Sequence, residues 1–248
     1  MIVTALKTQI VEKFSCSIEE LLSTAIKSIS ENSIIAISSK VISLCEGNIV
    51  EKAGINKDEL IEREADFFLP KSKSKYNVYL TIKNNLLIPS SGVDESNTNG
   101  YYLKLPKDSQ KTANLCWSFL RKKHSVENLG IIITDSAPSP LRWGVTGRCI
   151  ACCGFKPINN KIGEKDLFGN TLTKTQVNIA DALATSAVLC MGESNEQTPI
   201  AIIEDLGFVN FVSHIPTEQE LEEMNINIKD DLYEQILTSV KWKTHKKP

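Results

Sequence analysis

Apolar and polar positions follow two rhythms along the chain. Leu21, Leu22, Ala25, Ile26 and Ile29 recur at helical spacing behind Ser17-Ile-Glu-Glu20, the form of a capping box. They predict a helix over 17–31. SIIAIS, 33–38, is a short β-branched run that predicts a buried strand, followed by Ser38-Ser39-Lys40, Val41-Ile42-Ser43 and Glu46-Gly47. A second helix starts at Asn56 and is ended by Pro70. After a charged loop at 71–77, NVYLTIKNNLLIPSSG reads as a hairpin turning at Lys83-Asn84-Asn85. A helix over about 109–123 and an apolar strand over 130–136, GIIITDS, come next. Residues 137–172 are rich in Gly, Pro and turn formers, with a short strand near 149–153. An Ala-rich helix is predicted over 173–191, a strand over 199–205, and two acidic helical stretches in the last forty or so residues. Strands and helices alternate without a regular βαβ period, so the fold class is mixed α/β or α+β.

Composition narrows the function. The chain has 248 residues, 42% hydrophobic and 23% charged, with 28 basic and 30 acidic residues. No basic surplus marks a nucleic-acid surface, and the short tail KWKTHKKP reads as a solvated end. No apolar run is long enough to span a membrane, and MIVTALKTQIVEKF lacks a signal-peptide core. A cytoplasmic protein is expected. The seven cysteines, six of them in apolar stretches, fit a reducing compartment.

Common nucleotide motifs are missing: there is no G-x-x-x-x-G-K-[ST] and no G-x-G-x-x-G. Cys149-Ile-Ala-Cys152 is one C-x-x-C with apolar neighbours and reads as core packing. His124, His214 and His245 lie outside any motif, which argues against Ser-His-Asp or Cys-His chemistry. Oxygen-ligand chemistry remains. Asp94 follows the LLIPSSG strand, Asp135 ends the IIIT strand, and Glu193 follows the long helix. Each alone reads more readily as a turn or helix-end residue. Together they stand where α/β folds bind ligands. Acids converging there would repel by about 4 kcal/mol per pair at 4 Å and an effective dielectric of 20. Convergence would therefore need a hard cation, a raised pKa or a cationic partner. Within GVDESN, Asp94 and Glu95 face opposite ways in an extended chain, so only Asp94 is a ready ligand. Lys40, Arg142 and Arg148 lie near enough in sequence to suit phosphate. Arg142 is the catalytic candidate among them, and Arg148 reads as a surface residue.

These residues recur in order with others: ISSKVISLCEG (37–47), SGVDESN (91–97), GIIITDS (130–136), RWGVTGRCIACCG (142–154), KDLFGN (165–170), ADALATSAVLCMGE (180–193) and PIAII (199–203). The set resembles the coenzyme F420-0:γ-glutamyl ligase family. The resemblance implies a single ligase domain over 1–248 with its motifs in 33–205, mixed sheets with flanking helices, and a homodimer. It implies joining L-glutamate to a carboxylate of a cofactor precursor, using GTP or ATP, Mg²⁺ or Mn²⁺, and K⁺ as a further ion. The family's metal positions fall on Asp94, Asp135, Ser136 and Glu193. Its nucleotide positions fall on Ser39, Lys40, Asn97 and, at the helix end, Met191 and Gly192. Departures also stand out. Leu44 occupies a position where some relatives carry a nucleotide-contacting Lys. ALKTQIV replaces a Leu-Pro-rich nucleotide segment, SAPSPLRWG replaces TxGRPxRxG, and Phe168-Gly169-Asn170 replaces a Tyr-Gly-Arg-like stretch. The last two changes bear on the acceptor, deazaflavin or pterin. A non-catalytic nucleotide- or metal-binding protein on the same fold is the alternative reading.

Overall fold

The computed structural model describes residues 1–245, so the end of the basic tail lies outside it. The chain runs β1 (Ile2–Leu6), α1 (Ile18–Ala25), β2 (Ser33–Ser38), α2 (Ser39–Cys45), β3 (Ile49–Glu51), α3 (Lys57–Glu64), β4 (Phe67–Leu69), β5 (Leu80–Lys83), β6 (Leu86–Pro89), β7 (Tyr101–Leu103), α4 (Ser109–His124), β8 (Leu129–Pro138), β9 (Val145–Cys153), β10 (Ile158–Asn160), β11 (Gln176–Asn178), α5 (Ile179–Met191), β12 (Ile200–Glu204), α6 (Glu218–Glu222) and α7 (Glu234–Thr238). A five-stranded sheet, ordered β1-β12-β2-β8-β9, forms the centre. Among the described residues only β2 and β8 pair in parallel, with Ile35 opposite Ile131 and Ile37 opposite Ile133. The fold is mixed α/β, as the alternation of elements predicts.

Both faces of this sheet are covered, which is why β2 reads as an unbroken apolar run rather than an alternating one. On one face Ile35, Ile37, Ile131 and Ile133 pack with Leu21 and Leu22 of α1 and Trp117 and Leu120 of α4. On the other, Ile34, Ala36 and Ile132 meet Ala180, Leu183, Ala184 and Ala187 of α5. Each fully buried isoleucine contributes about 1.5–3 kcal/mol. The alanines let α5 approach the sheet closely: a Cβ on Gly147 would stand 2.4 Å from the Ala184 carbonyl oxygen. A smaller lobe, built from β3 with β7 and from β4-β5-β6, is organised by Leu60 and Ile61 of α3 against Phe68, Tyr79 and Val93. Ile88 and Leu105 fasten it to Ala137 near the end of β8.

Several expectations need correction. The first helix stops at Ala25: Ile26 is extended (φ −102°, ψ 113°) and Ile29 packs on the core from coil, so apolar spacing outlasts the helix. The long helix begins at Ile179, not 173, because Asn178 caps it while residues 176–178 pair with β10. Residues 39–45 form a helix the β-branched pattern concealed, capped by Ser38. The second helix ends at Glu64, well before Pro70, since 67–69 is claimed by β5 as a sheet partner. The hairpin turn falls as expected, with Asn84 and Asn85 at φ 49° and 61°, the left-handed pair that tight hairpins favour. Cys149 and Cys152 are buried in β9, and all seven cysteines are free. Arg148 is partly buried, its guanidinium donating to Ser139 Oγ at 2.6 Å.

Gly154 ends β9 at φ 84°, where a Cβ would meet the Leu129 oxygen at 2.1 Å and the Trp117 indole nitrogen at 2.2 Å. Those two atoms are themselves hydrogen-bonded at 2.7 Å. Gly154→Ala is expected to cost about 3 kcal/mol or more by denaturant titration. Gly163→Ala, at φ 91° but in open space, should cost only about 1 kcal/mol. Equal losses would show that the close approach at Gly154 is not what constrains it.

Candidate functional site

The parallel pair β2/β8 delivers two chain segments side by side at the strands' C-terminal ends, the place where such sheets open a crevice. From β2, the chain turns directly into α2: Ser38 caps the helix by accepting the Lys40 N–H, and Ser39 and Lys40 follow. On β8, a bulge lies immediately before the site. Ile133 pairs with Ala151 and Thr134 with Cys149, leaving Ile150 as the extra residue. Asp135 comes next and accepts a hydrogen bond from Ser39 Oγ at 3.3 Å. Burial pushes the Asp135 carboxyl up to about 6, against the opposing pull of the Ser136 N–H, Ser39 and Lys40.

The smaller lobe supplies the facing wall. Ser90, Ser91 and Gly92 take φ of 53°, 55° and 71°, a sharp turn pinned by Ser91, which donates to the Ile61 carbonyl. Gly92 is required there, since a Cβ would meet the Leu105 side chain at 2.6 Å. Asp94 is then fixed by two backbone hydrogen bonds to Leu103. Its Oδ1 accepts the N–H groups of Glu95 and Ser96, and its Oδ2 accepts Ser96 Oγ at 2.9 Å and pairs with Lys40 Nζ at 2.6 Å. Burial raises the Asp94 pKa, but Lys40 and Ser96 outweigh it and hold the carboxyl down at about 2. Glu95 faces away, bridging Lys57 at 2.7 Å and Lys52 at 3.2 Å. The two neighbouring acids are thus separated, as strand alternation predicts.

The end of α5 makes the third wall. Met191 is buried, Gly192 leaves the helix at φ 81°, and Glu193 accepts from Ser136 Oγ at 3.1 Å. Asn97 crosses from the small lobe to donate to the Ser194 carbonyl at 2.9 Å. The cleft between these walls has a volume of about 420 Å³. Lys40, Ser96, Asn97, Asp135, Ser136, Met191, Gly192 and Glu193 line it, with Asp94 directly behind Lys40 and Ser96.

Not every sequence candidate arrives. Arg142 sits exposed in the β8–β9 turn, outside the cleft, donating to the Leu141 carbonyl. Leu44 does line the cleft, as an apolar contact. The strap Thr8–Val11, part of the ALKTQIV stretch that replaces the family's nucleotide segment, closes one side and is tied down by Thr8 N–H to the Gln197 carbonyl at 3.0 Å. Ser96, which takes Lys40 Nζ at 3.0 Å, was legible as a polar residue on the Asp94 side of the strand.

Among the described residues no group of three or more Asp, Glu, His or Cys side chains is gathered closely enough to hold a metal alone. The acids are instead held apart by partners: Lys40 on Asp94, Ser39 on Asp135 and Ser136 on Glu193. The donors nevertheless suit a hard divalent cation. They are all oxygen, one is a buried carboxylate that a cation would relieve, and the open cleft leaves room for phosphate oxygens to complete the shell.

The family model described as F420-0:Gamma-glutamyl ligase matches residues 5–205. The chain is 34% identical over 190 residues to a coenzyme F420:L-glutamate ligase of Methanococcus maripaludis, covering 71% of this chain and 76% of that protein. Proteins of the same name from Methanopyrus kandleri and Methanocaldococcus jannaschii are 32% and 33% identical over 196 and 190 residues, with the same coverage. By the extent of these matches, the chain belongs to the F420-0:gamma-glutamyl ligase family.

Proposed function

We propose that this protein is a nucleotide- and metal-dependent ligase that joins the amino group of L-glutamate to a carboxylate of a deazaflavin acceptor. The observation that carries this reading is the single cleft into which Lys40, Asn97, Asp135, Ser136 and Glu193 all project. The acceptor carboxylate attacks the terminal phosphorus of GTP or ATP, the bridging P–O bond breaks, and the nucleoside diphosphate leaves. The glutamate amine then attacks the acyl phosphate, the C–O bond to phosphate breaks, and the amine proton is lost. Such chemistry needs positioning and charge neutralisation more than a protein nucleophile, which suits a cleft without Cys or His. Bound Mg²⁺ or Mn²⁺ would neutralise the phosphate oxygens, with Asp94, Asp135, Ser136 and Glu193 as its holders. Lys40, paired with Asp94 here, would pass to a phosphate. Asn97 and the turn at Met191-Gly192 would bind the nucleotide.

The relatives' names favour a deazaflavin over a pterin acceptor. The decisive assay follows phosphate release from GTP and from ATP with L-glutamate, Mg²⁺ or Mn²⁺ and K⁺, offering F420-0, dihydropteroate and folate in turn. Glutamate-dependent turnover with F420-0 is expected. Tight nucleotide binding with no turnover on any acceptor would instead favour the non-catalytic reading. Asp94→Asn and Asp135→Asn should each lower kcat by about 10²–10³-fold or more with unchanged circular dichroism. Normal metal-dependent activity in Asp94→Asn would remove that residue from the site.

Asp135 also sets a pH dependence. Its folded pKa of about 6 exceeds the ordinary 3.8. The folded state therefore binds more protons across that window, and the metal-free fold loses stability as pH rises from 3.8 to about 6. Asp135→Asn should be more stable than the wild type at pH 7, by at most about 3 kcal/mol, and not at pH 3.5. Mg²⁺ should narrow the difference by stabilising only the wild type. A variant no more stable at pH 7 would show that burial does not strain this carboxylate.

The homodimer belongs to the same proposal. Its support is the tip between β10 and β11, where Leu167 and Phe168 stand 100% and 90% exposed. Sedimentation of a Leu167→Ser, Phe168→Ser double variant should show half the wild-type mass. The seven free cysteines suit a cytoplasmic location.

A further inference from the structure

The turn between β8 and β9, residues 139–144, carries large groups into solvent. Leu141 is 96% exposed and Trp143 92%. Leu141 takes φ 59°, unfavourable for a bulky residue, so the turn is held in a shape that projects these side chains outward. Trp143 meets one other aromatic group, Tyr76, which arrives from the loop between β4 and β5. Their ring centroids are 6.4 Å apart at an interplanar angle of 77°. Tyr76 is also well exposed, and neither ring belongs to a core cluster. A T-shaped contact covers at most one face of the 92%-exposed indole and leaves another open, a surface on which a planar ring stacks well. One cation flanks the pair, and a second neighbours Trp143 in the chain. Lys75 Nζ lies 5.8 Å from the Tyr76 centroid, and the Arg142 guanidinium is bonded to a backbone carbonyl rather than to a carboxylate.

Position gives this cluster its meaning. Asp135 and Ser136 line the cleft, and β8 continues from them to Pro138 and straight into this turn. At about 3.3 Å per residue the strand ends roughly 7 Å past Ser136. The same strand therefore joins the phosphate-suited cleft to the aromatic pair. A ligand with a carboxylate at one end and a planar ring at the other matches that arrangement, and the cations at the ring end suit further anionic groups on it.

We propose that Tyr76 and Trp143 seat the ring of the deazaflavin acceptor, with Lys75 and Arg142 meeting its anionic groups, while the reacting carboxylate reaches back along β8 to the cleft. This rests on the ligase reading of the cleft. The seat explains why Arg142 lies outside the cleft: it holds the acceptor and not the nucleotide. It also assigns discrimination among acceptors to the stretch SAPSPLRWG, where this chain departs from the family pattern.

The test measures binding and turnover separately on the full chain. F420-0 affinity is read from the polarisation of the acceptor's own fluorescence, and nucleotide affinity from calorimetry. Trp143→Ala and Tyr76→Ala should each weaken F420-0 binding about tenfold, the size of one stacking contact, and raise its KM in step. Trp143→Phe should restore most of the affinity. Nucleotide affinity, glutamate KM and sedimentation should not change. F420-0 affinity unaltered in both alanine variants would overturn the proposal. So would an equal loss of nucleotide affinity, a loss tracked by a change in sedimentation, or no F420-0 binding by the wild type. Wild-type binding of F420-0 without turnover, with the loss still seen in Trp143→Ala, would leave the seat standing and remove the ligase reading. Turnover with normal F420-0 binding in Trp143→Ala would do the reverse.

Discussion

The parallel pairing of β2 with β8 is the constraint on which the rest depends. It places Ser38 beside Thr134, and thus the start of α2 beside Asp135. Parallel strands need crossovers, and the crossover here is long enough to include α2, the whole small lobe and α4. That excursion carries Asp94 out and returns it to face the strand that follows. The sheet could not place Asp94 opposite Asp135 without it. Burial on both faces keeps the pairing in register, because a one-residue slip would exchange the α1/α4 face of each strand for the α5 face.

Charge is managed within the same frame. Asp94 is ionised and paired with Lys40, while Asp135 is buried with only a hydroxyl partner from a side chain. The contrast divides their roles. Asp94 is kept as a stable anion, and Asp135 carries an unmet demand for positive charge. Lys40 touches both problems, bonding one acid and lowering the pKa of the other. Glu95 would add a third negative charge, and Lys52 and Lys57 draw it to the opposite side.

Much of this was legible from residue order. SIIAIS and GIIITDS each announce a strand by an unbroken apolar run, and Asn84-Asn85 announces a hairpin because few residues accept left-handed backbone there. Alternation in GVDESN separates Asp94 from Glu95. The illegible parts have physical causes. Ile26 and Ile29 keep helical spacing while packing from coil, so the pattern overstates α1. Val41 and Ile42 hide α2, because tertiary burial outweighs their preference for strands. The strap at residues 8–11 reaches the cleft through a backbone bond to Gln197, a contact that leaves no mark on side-chain chemistry. Arg142 shares a motif with cleft residues, yet the β8–β9 turn carries it outward.

The cleft is closed by contacts between segments far apart in the chain. Ser39 and Asp135 are 96 residues apart, Asn97 and Ser194 are 97, Ser136 and Glu193 are 57, and Lys40 and Ser96 are 56. Such contacts form only after the intervening loops have been closed, so they fall late in folding. They are also mostly solvent-exposed or part-buried hydrogen bonds, the kind that open first in local fluctuations. Ligand affinity should therefore fade under mild denaturant while the sheet and its helices still give a native spectrum. For this protein, binding is the finer gauge of native structure, and secondary-structure content the coarser one.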